Sequence, residues 1–198
     1  MIASRARAAA PPRAARITVL VLGAALARAS VAPAGEGLAA AVFAALLIGI
    51  LAIEGVGARP GDRPWPLKRS ILSGLGVAAV LAAPVLWSAS AGPAWPPIPV
   101  HGAFLPWAAA VALVASLEEA TIRGTLQQAW RAEAGPVPAI LCGALVFAAI
   151  HLPRYGLSVM PLDLAVGLAL GGLRELTGRV LPCAIAHTAA DWAAWLSA

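Results

Sequence analysis

The most constraining feature of this 198-residue chain is a series of long apolar runs separated by short connectors rich in Gly and Pro. Hydrophobic residues make up 61% of the sequence and charged residues only 12%, which is far more apolar than one soluble core requires. Because lipid offers no partner to backbone polar groups, runs of this length are expected to be helices. We therefore predict an all-α fold, a polytopic transmembrane helical bundle with about seven spans. The predicted spans are residues 17–32, 38–54, 70–91, 104–118, 137–152, 160–173 and 180–197.

Basic residues lie mostly between the apolar runs, so the net charge of +5 indicates membrane topology and no nucleic-acid partner. Four arginines precede the first run and predict a cytoplasmic N-terminus. When the spans alternate in direction, most later basic residues fall on that same side, whereas Arg28 and Arg154 fit poorly. A cleaved signal peptide is the alternative for the first run, but an uncleaved anchor suits a chain that continues to cross the membrane.

Three segments differ in character. Residues 1–16 form a cationic cytoplasmic tail, residues 17–102 hold the N-terminal transmembrane spans, and residues 103–198 form a core in which ionisable side chains interrupt the apolar runs. The composition is rich in Ala and Arg and contains a single Lys, which is typical of a GC-rich bacterial genome. We therefore expect an integral protein of the bacterial inner (cytoplasmic) membrane, with the lipid bilayer as its first partner.

Ionisable residues inside the spans are the candidates for chemistry. A charged side chain at the bilayer centre costs about 2.5–3.5 kcal/mol on insertion scales, so such residues normally face a cavity or a partner. A fourth helix extending from about residue 104 to residue 132 would hold its two adjacent carboxylates near mid-bilayer. The candidates in the fourth, fifth and seventh spans are Glu118, Glu119, Arg123, His151, His187 and Asp191.

Helical spacing sorts these candidates into pairs. Glu119 and Arg123 stand at i and i+4 and are expected to form a structural ion pair. Glu118 points about 100° away, which makes it the reactive candidate, unless both carboxylates share the arginine. His187 and Asp191 also stand at i and i+4, so the carboxylate can orient the imidazole, although the pair could equally be a helix-packing hydrogen bond.

Taken together, Glu118-Glu119-x-x-x-Arg123, Phe147-x-x-x-His151 and His187-x-x-x-Asp191 resemble the CAAX protease and bacteriocin-processing (CPBP, or Abi) family of intramembrane endopeptidases. The resemblance covers roughly residues 103–198, and it departs from the family at Asp191, where members usually carry Asn. It implies a glutamic-type protease in which Glu118 and His151 activate a water molecule, supported structurally by Glu119, Arg123 and Phe147. It also implies that His187 and the residue at position 191 stabilise the oxyanion.

A charged Asp191 would repel an oxyanion, so this side chain must be protonated or act behind His187 as an orienting group, and we expect the second. The expected substrate is a membrane-associated protein or peptide, and no cofactor is favoured. Because Thr121, Thr125, Gln127 and Gln128 form a polar flank, the cavity is expected to open on the cytoplasmic side.

Three alternatives stay open from the sequence. Glu118, His151, His187 and Asp191 are a ligand set that zinc accepts, although the H-E-x-x-H motif of zinc proteases is missing from the sequence. The same polar cluster would also suit a non-catalytic membrane scaffold or immunity protein, or an ion or proton pathway.

Overall fold

The computed structural model describes residues 12–57, 64–91 and 103–196. Within these ranges the chain is almost entirely helical and contains no strand, which confirms the predicted fold class. Residues 1–11 of the predicted tail, Arg59, Arg63 and the connector 93–102 lie outside the described residues. The helices of the described ranges are α1 Arg13–Val31, α2 Glu36–Glu54, α3 Leu67–Ala91, α4 Phe104–Ala134, α5 Pro136–Tyr155, α6 Met160–Thr177 and α7 Leu181–Leu196.

Five of these helices, α1, α2, α4, α5 and α6, are long and apolar enough to cross a membrane. The other two, α3 and α7, pack against each other along their length. At Gly74 of α3 an added Cβ would lie 2.8 Å from the carbonyl oxygen of Pro182, so this contact requires glycine. Gly167 of α6 meets Ala144 of α5 in the same way, with 2.8 Å from the added Cβ to the alanine Cα. Small residues therefore set the close helix packing, as they do in other membrane bundles.

Helix α4 changes its winding directly after the two adjacent glutamates. Residues Ala120–Leu126 form a π-helical segment between two α-helical parts, whereas the sequence predicted an uninterrupted α-helix. π-Segments inside helices are rare and occur often at functional sites. All residues from Thr121 to Leu126 are buried, so the altered winding is held by packing on every side.

The antiparallel helices give the bundle two ends of different composition. The basic end joins the first turn of α1 to the last turns of α2, α4 and α6, and its ion pairs include Arg13 and Arg16 with Glu54, and Arg131 with Glu175. The aromatic end is the opposite one, where α4 begins and α7 ends. Its rings are those of Phe104, Trp107, Trp192 and Trp195.

Candidate active site

A cavity of about 350 Å³ lies inside the bundle on the side of the aromatic end. Its volume is in the range of sites that hold small ligands or a short stretch of peptide, about 300–1,000 Å³. Trp107 and Glu36 line it near the aromatic end, and apolar side chains of α4 and α6 form much of its wall. The predicted site residues that line it are Glu118, Phe147, His151, His187 and Asp191.

Three helices bring these residues together. α4 carries Glu118 to the middle of the bundle, and α5 returns antiparallel after the single residue Gly135. Gly135 has a φ of 89°, a left-handed conformation that a side chain would strain. This tight connection places His151, near the end of α5, beside the α4 carboxylates. Helix α7 packs on α4 and supplies His187.

Glu118 faces away from the Glu119–Arg123 pair, as its position on the helix predicted. Its carboxylate is only 3% exposed, and Oε2 lies 3.8 Å from Nε2 of His187. The other oxygen, Oε1, lies 3.8 Å from Nη1 of Arg28 in α1. Both distances are too long for a direct hydrogen bond. The carboxylate therefore faces each partner across a gap that a small side-chain movement or a bridging group would close.

Glu119 holds His187 as well as Arg123. Its Oε2 lies 3.4 Å from Nε of Arg123, which confirms the predicted ion pair, and its Oε1 accepts a 3.1 Å hydrogen bond from Nδ1 of His187. Glu119 and Arg123 have no exposed surface. Arg123 also donates to the carbonyl oxygens of Gly143 and Gly167, each at 3.4 Å. A donor at Nδ1 leaves Nε2 of His187 facing the cavity.

The orientation of His151 follows from its backbone. Its Nδ1 lies 2.8 Å from the carbonyl oxygen of Phe147, and since a carbonyl only accepts, Nδ1 carries the proton in this contact. The unprotonated Nε2 is then available to the cavity. The Phe147 ring contacts both imidazoles, with centroids 4.7 Å from His151 and 5.2 Å from His187. The centroids of the two imidazoles lie 6.5 Å apart, so the three rings form one cluster.

Asp191 lies on the cavity side of His187, whereas the sequence predicted it behind this histidine. Its Oδ2 is 3.6 Å from Nε2 of His187, the nitrogen that faces Glu118, and the side chain is 38% exposed. The position behind His187, on Nδ1, belongs to Glu119. Side-chain spacing on one helix predicted the neighbour at i+4 correctly, but the closer partner comes from α4. The orienting role expected of Asp191 therefore falls geometrically to Glu119.

A metal fits part of the predicted ligand set. Glu118, His151 and His187 each offer a ligand atom, and these atoms lie within 4.8 Å of one another, a group that does not include Asp191. Two imidazoles and a carboxylate match the three protein ligands of catalytic zinc sites, and both histidines have a hydrogen-bonded second nitrogen as zinc ligands do. Against this, the guanidinium of Arg28 beside Glu118 would repel a divalent cation.

The polar flank of α4 was interpreted wrongly. Thr121 and Thr125 are buried and donate to the carbonyl oxygens of Leu117 and Gly55, at 2.8 and 2.7 Å. Gln127 is buried as well and donates to Gly171 at 3.0 Å. These side chains satisfy backbone groups in the half of the bundle toward the basic end. The cavity lies toward the other end.

Several residues of the site were missed. Arg28, Arg154, Tyr155 and Asp163 all line the cavity, and Arg154 of α5 pairs with Glu36 of α2. The signal was present in the sequence, because Arg28 and Arg154 were the two basic residues that fitted the topology poorly.

Arg174 of α6 is buried. It donates from Nε to the carbonyl oxygen of Arg123 at 3.2 Å and from Nη2 to that of Gly57 at 3.4 Å.

The fold and this cluster define an integral membrane protein with a buried group of carboxylates and imidazoles arranged as in a hydrolytic site. Residues 100–193 match the family model described as type II CAAX prenyl endopeptidase, Rce1-like. This segment holds α4 to α6 and most of α7, and it is similar to the CAAX endopeptidase family of membrane proteases, in agreement with the resemblance to CPBP proteins. No curated protein and no solved structure matches the chain.

Proposed function

We propose that the protein is a glutamic-type intramembrane endopeptidase that hydrolyses a peptide bond of a membrane-associated protein or peptide. The observation that carries this proposal is the convergence of Glu118, His151 and His187 from three helices, with their reactive atoms within 4.8 Å, on a cavity inside an apolar bundle. Buried ionisable groups in membrane helices are costly, and their convergence on a cavity indicates function.

The reaction begins with a water molecule between Glu118 and His151. Glu118 accepts a proton from the water while Nε2 of His151 accepts a hydrogen bond from it, and the water oxygen attacks the scissile carbonyl carbon. The proton held by Glu118 then passes to the amide nitrogen as the C–N bond breaks. The products are a new carboxyl group and a free amine, so water is the only co-reactant.

His187 is placed to stabilise the oxyanion of the tetrahedral intermediate. When protonated at both nitrogens it donates from Nδ1 to Glu119 and from Nε2 toward the cavity. The 3.1 Å contact to Glu119 and the ion pair of Glu119 with Arg123 hold the ring in this orientation before substrate enters. Asp191, on the cavity side of His187, would then bind a substrate N–H or the water rather than the oxyanion.

A zinc-dependent protease on the same residues is the second candidate, because Glu118, His151 and His187 have ligand geometry. Zinc would supply a polarised, more acidic water, and Arg28 is the feature that disfavours it.

We also propose that the protein resides in the inner membrane of a bacterium with its N-terminus in the cytoplasm. The concentration of Arg and Lys at the basic end supports this orientation.

Purified protein in detergent and a pool of fluorogenic peptides with a prenylated cysteine test the function. We expect cleavage that persists after dialysis against a strong zinc chelator, and loss of cleavage in His151→Ala. Chelator-sensitive cleavage restored by zinc would favour the metal mechanism. A folded protein that cleaves none of the peptides, and whose expression changes no membrane-protein fragment in cells, would instead support a scaffold.

A further inference from the structure

The position of the cavity relative to the charges of the bundle bears on which substrates can reach it. Building on the proposed protease function and orientation, we infer that the peptide bond enters from the extracytoplasmic side of the membrane. The substrate class would then be a translocated peptide or the extracytoplasmic flank of a membrane-anchored protein. Cytoplasmic chain termini would be excluded.

The first observation is the unequal distribution of basic residues between the two ends. Positive charge in short loops and at span ends sets orientation, whereas acidic residues contribute little. Only Arg28 and Arg154 lie toward the aromatic end among the described basic residues, and they are directed to Glu118 and Glu36. In the sequence, four further arginines precede α1 or fall between α2 and α3. The described basic residues on that side include Arg13, Arg16, Lys68, Arg69, Arg131 and Arg179.

The second observation is that the bundle is filled between the catalytic cluster and the basic end. Ile122, Thr125, Leu126 and Gln127 have no exposed surface. The backbone N–H of Gly57, in the segment after α2, donates to the carbonyl oxygen of Gly124 at 2.8 Å, so this segment packs against α4 on the basic side. Across the described residues, a peptide therefore has room to approach Glu118 from the aromatic end.

The depth of the cluster adds a requirement on the substrate. Trp107, which lines the cavity near the aromatic end, precedes Glu118 by eleven residues, which corresponds to about 16 Å at the helical rise of about 1.5 Å per residue. An extended chain covers this depth with about five residues at about 3.3 Å each. The walls on the way include Ala110, Val111 and Val114. The accepted segment should thus be extended, largely apolar and about five residues long on the extracytoplasmic side.

Cysteine labelling tests the orientation without any assumption about activity. In a background with Cys142→Ala and Cys183→Ala, Gly37→Cys places a thiol in the cavity wall where the added side chain meets nothing within 4 Å. Ala134→Cys is the matched position at the exposed end of α4 on the basic side. With a membrane-impermeant maleimide on intact spheroplasts, we expect labelling at position 37 and labelling at position 134 only after permeabilisation.

The reverse pattern would overturn the inference. If Gly37→Cys fails to accumulate, Ser30→Cys, exposed at the end of α1 on the same side, replaces it with the same expectation.

Cleavage in sealed vesicles then separates this inference from the proposed function. The probe is the peptide from the fluorogenic pool that the detergent-solubilised protein cleaves fastest, carrying a sulfonated dye that prevents crossing. We expect right-side-out vesicles to cleave the added peptide without detergent and inverted vesicles only after detergent is added. Cleavage in inverted vesicles alone would refute the extracytoplasmic site while leaving the protease intact. Absence of cleavage even in detergent would instead refute the protease, with the labelling result still deciding the orientation.

Discussion

The two ends of the bundle use charge in opposite ways. At the basic end, Arg13 and Arg16 are 44% and 48% exposed while they bind Glu54, so their charges stay hydrated and their positions can follow topology alone. Toward the aromatic end, charged side chains enter the bundle and line a cavity, where each needs a specific partner. Charged residues that stay in contact with solvent thus set the orientation of the protein in the membrane. The same residue types, when enclosed in the bundle, form the candidate active site.

After the loss expected for a substitution of Glu118, the largest expected effect comes from the histidine on α7. His187→Ala removes the candidate oxyanion donor, and loss of one such donor typically lowers kcat by about 10²–10³-fold. The measurement is peptide cleavage in detergent, with size-exclusion chromatography to verify a folded protein. A His187→Ala protein that is folded and retains wild-type kcat would show that this imidazole has no part in the reaction.

The next expected effect is on stability, and it distinguishes a buried ion pair from a partly exposed one. Arg123→Ala leaves the buried Glu119 carboxylate with His187 as its remaining partner, which should lower the free energy of unfolding by about 3–5 kcal/mol. Arg131→Ala breaks the pair with Glu175, in which Arg131 is 32% exposed, and should cost about 1 kcal/mol or less. Thermal unfolding in one detergent measures both. Equal losses would mean that burial does not distinguish the two regions.

A smaller effect is expected from Arg28, which lies 3.8 Å from Glu118 and belongs to the half of the chain outside the family match. Arg28→Gln removes the cation that faces the Glu118 carboxylate, so kcat/KM should fall, by less than in His187→Ala. Arg28→Lys should restore part of the wild-type kcat/KM. Arg154→Gln is the matched control, because that arginine pairs with Glu36. An unchanged kcat/KM in Arg28→Gln, or the same loss in Arg154→Gln, would show that Arg28 does not act on Glu118.

The smallest effect is expected at the basic end. Glu54→Gln weakens two ion pairs in which the Glu54 side chain is 3% exposed but both arginines are about half exposed, which should lower the free energy of unfolding by about 1 kcal/mol. Its rate of peptide cleavage should equal that of the wild type, because Glu54 lies far from the cavity residues. Slowed cleavage in a stably folded Glu54→Gln protein would mean that the two ends are coupled.

The fold was predictable from sequence because each helix lies where an apolar run predicts one. Much of the side-chain cluster was predictable as well, since i and i+4 spacing placed Glu119 with Arg123 and left Glu118 facing another neighbour. These inferences depend on local helical geometry alone. The roles of the clustered residues stay predictions.

Contacts between distant helices were not predictable in the same way. Nothing local to α7 indicates that Glu119 of α4 lies closer to His187 than Asp191 does. The π-helical segment after Glu119 likewise depends on packing around α4, and Thr121 and Thr125, the part of the predicted polar flank that it contains, are buried. Arg28 shows the remaining limit, because an arginine on α1 joins the site only once α1 has packed beside α4.

The most direct test of the central claim is the rate of peptide cleavage by Glu118→Gln, measured beside Glu54→Gln in the same detergent. Gln keeps the shape of the side chain but cannot accept the proton of the attacking water, so we predict a loss of about 10²–10⁴-fold in kcat with the protein still folded. Cleavage at the wild-type rate by a folded Glu118→Gln protein would contradict the account.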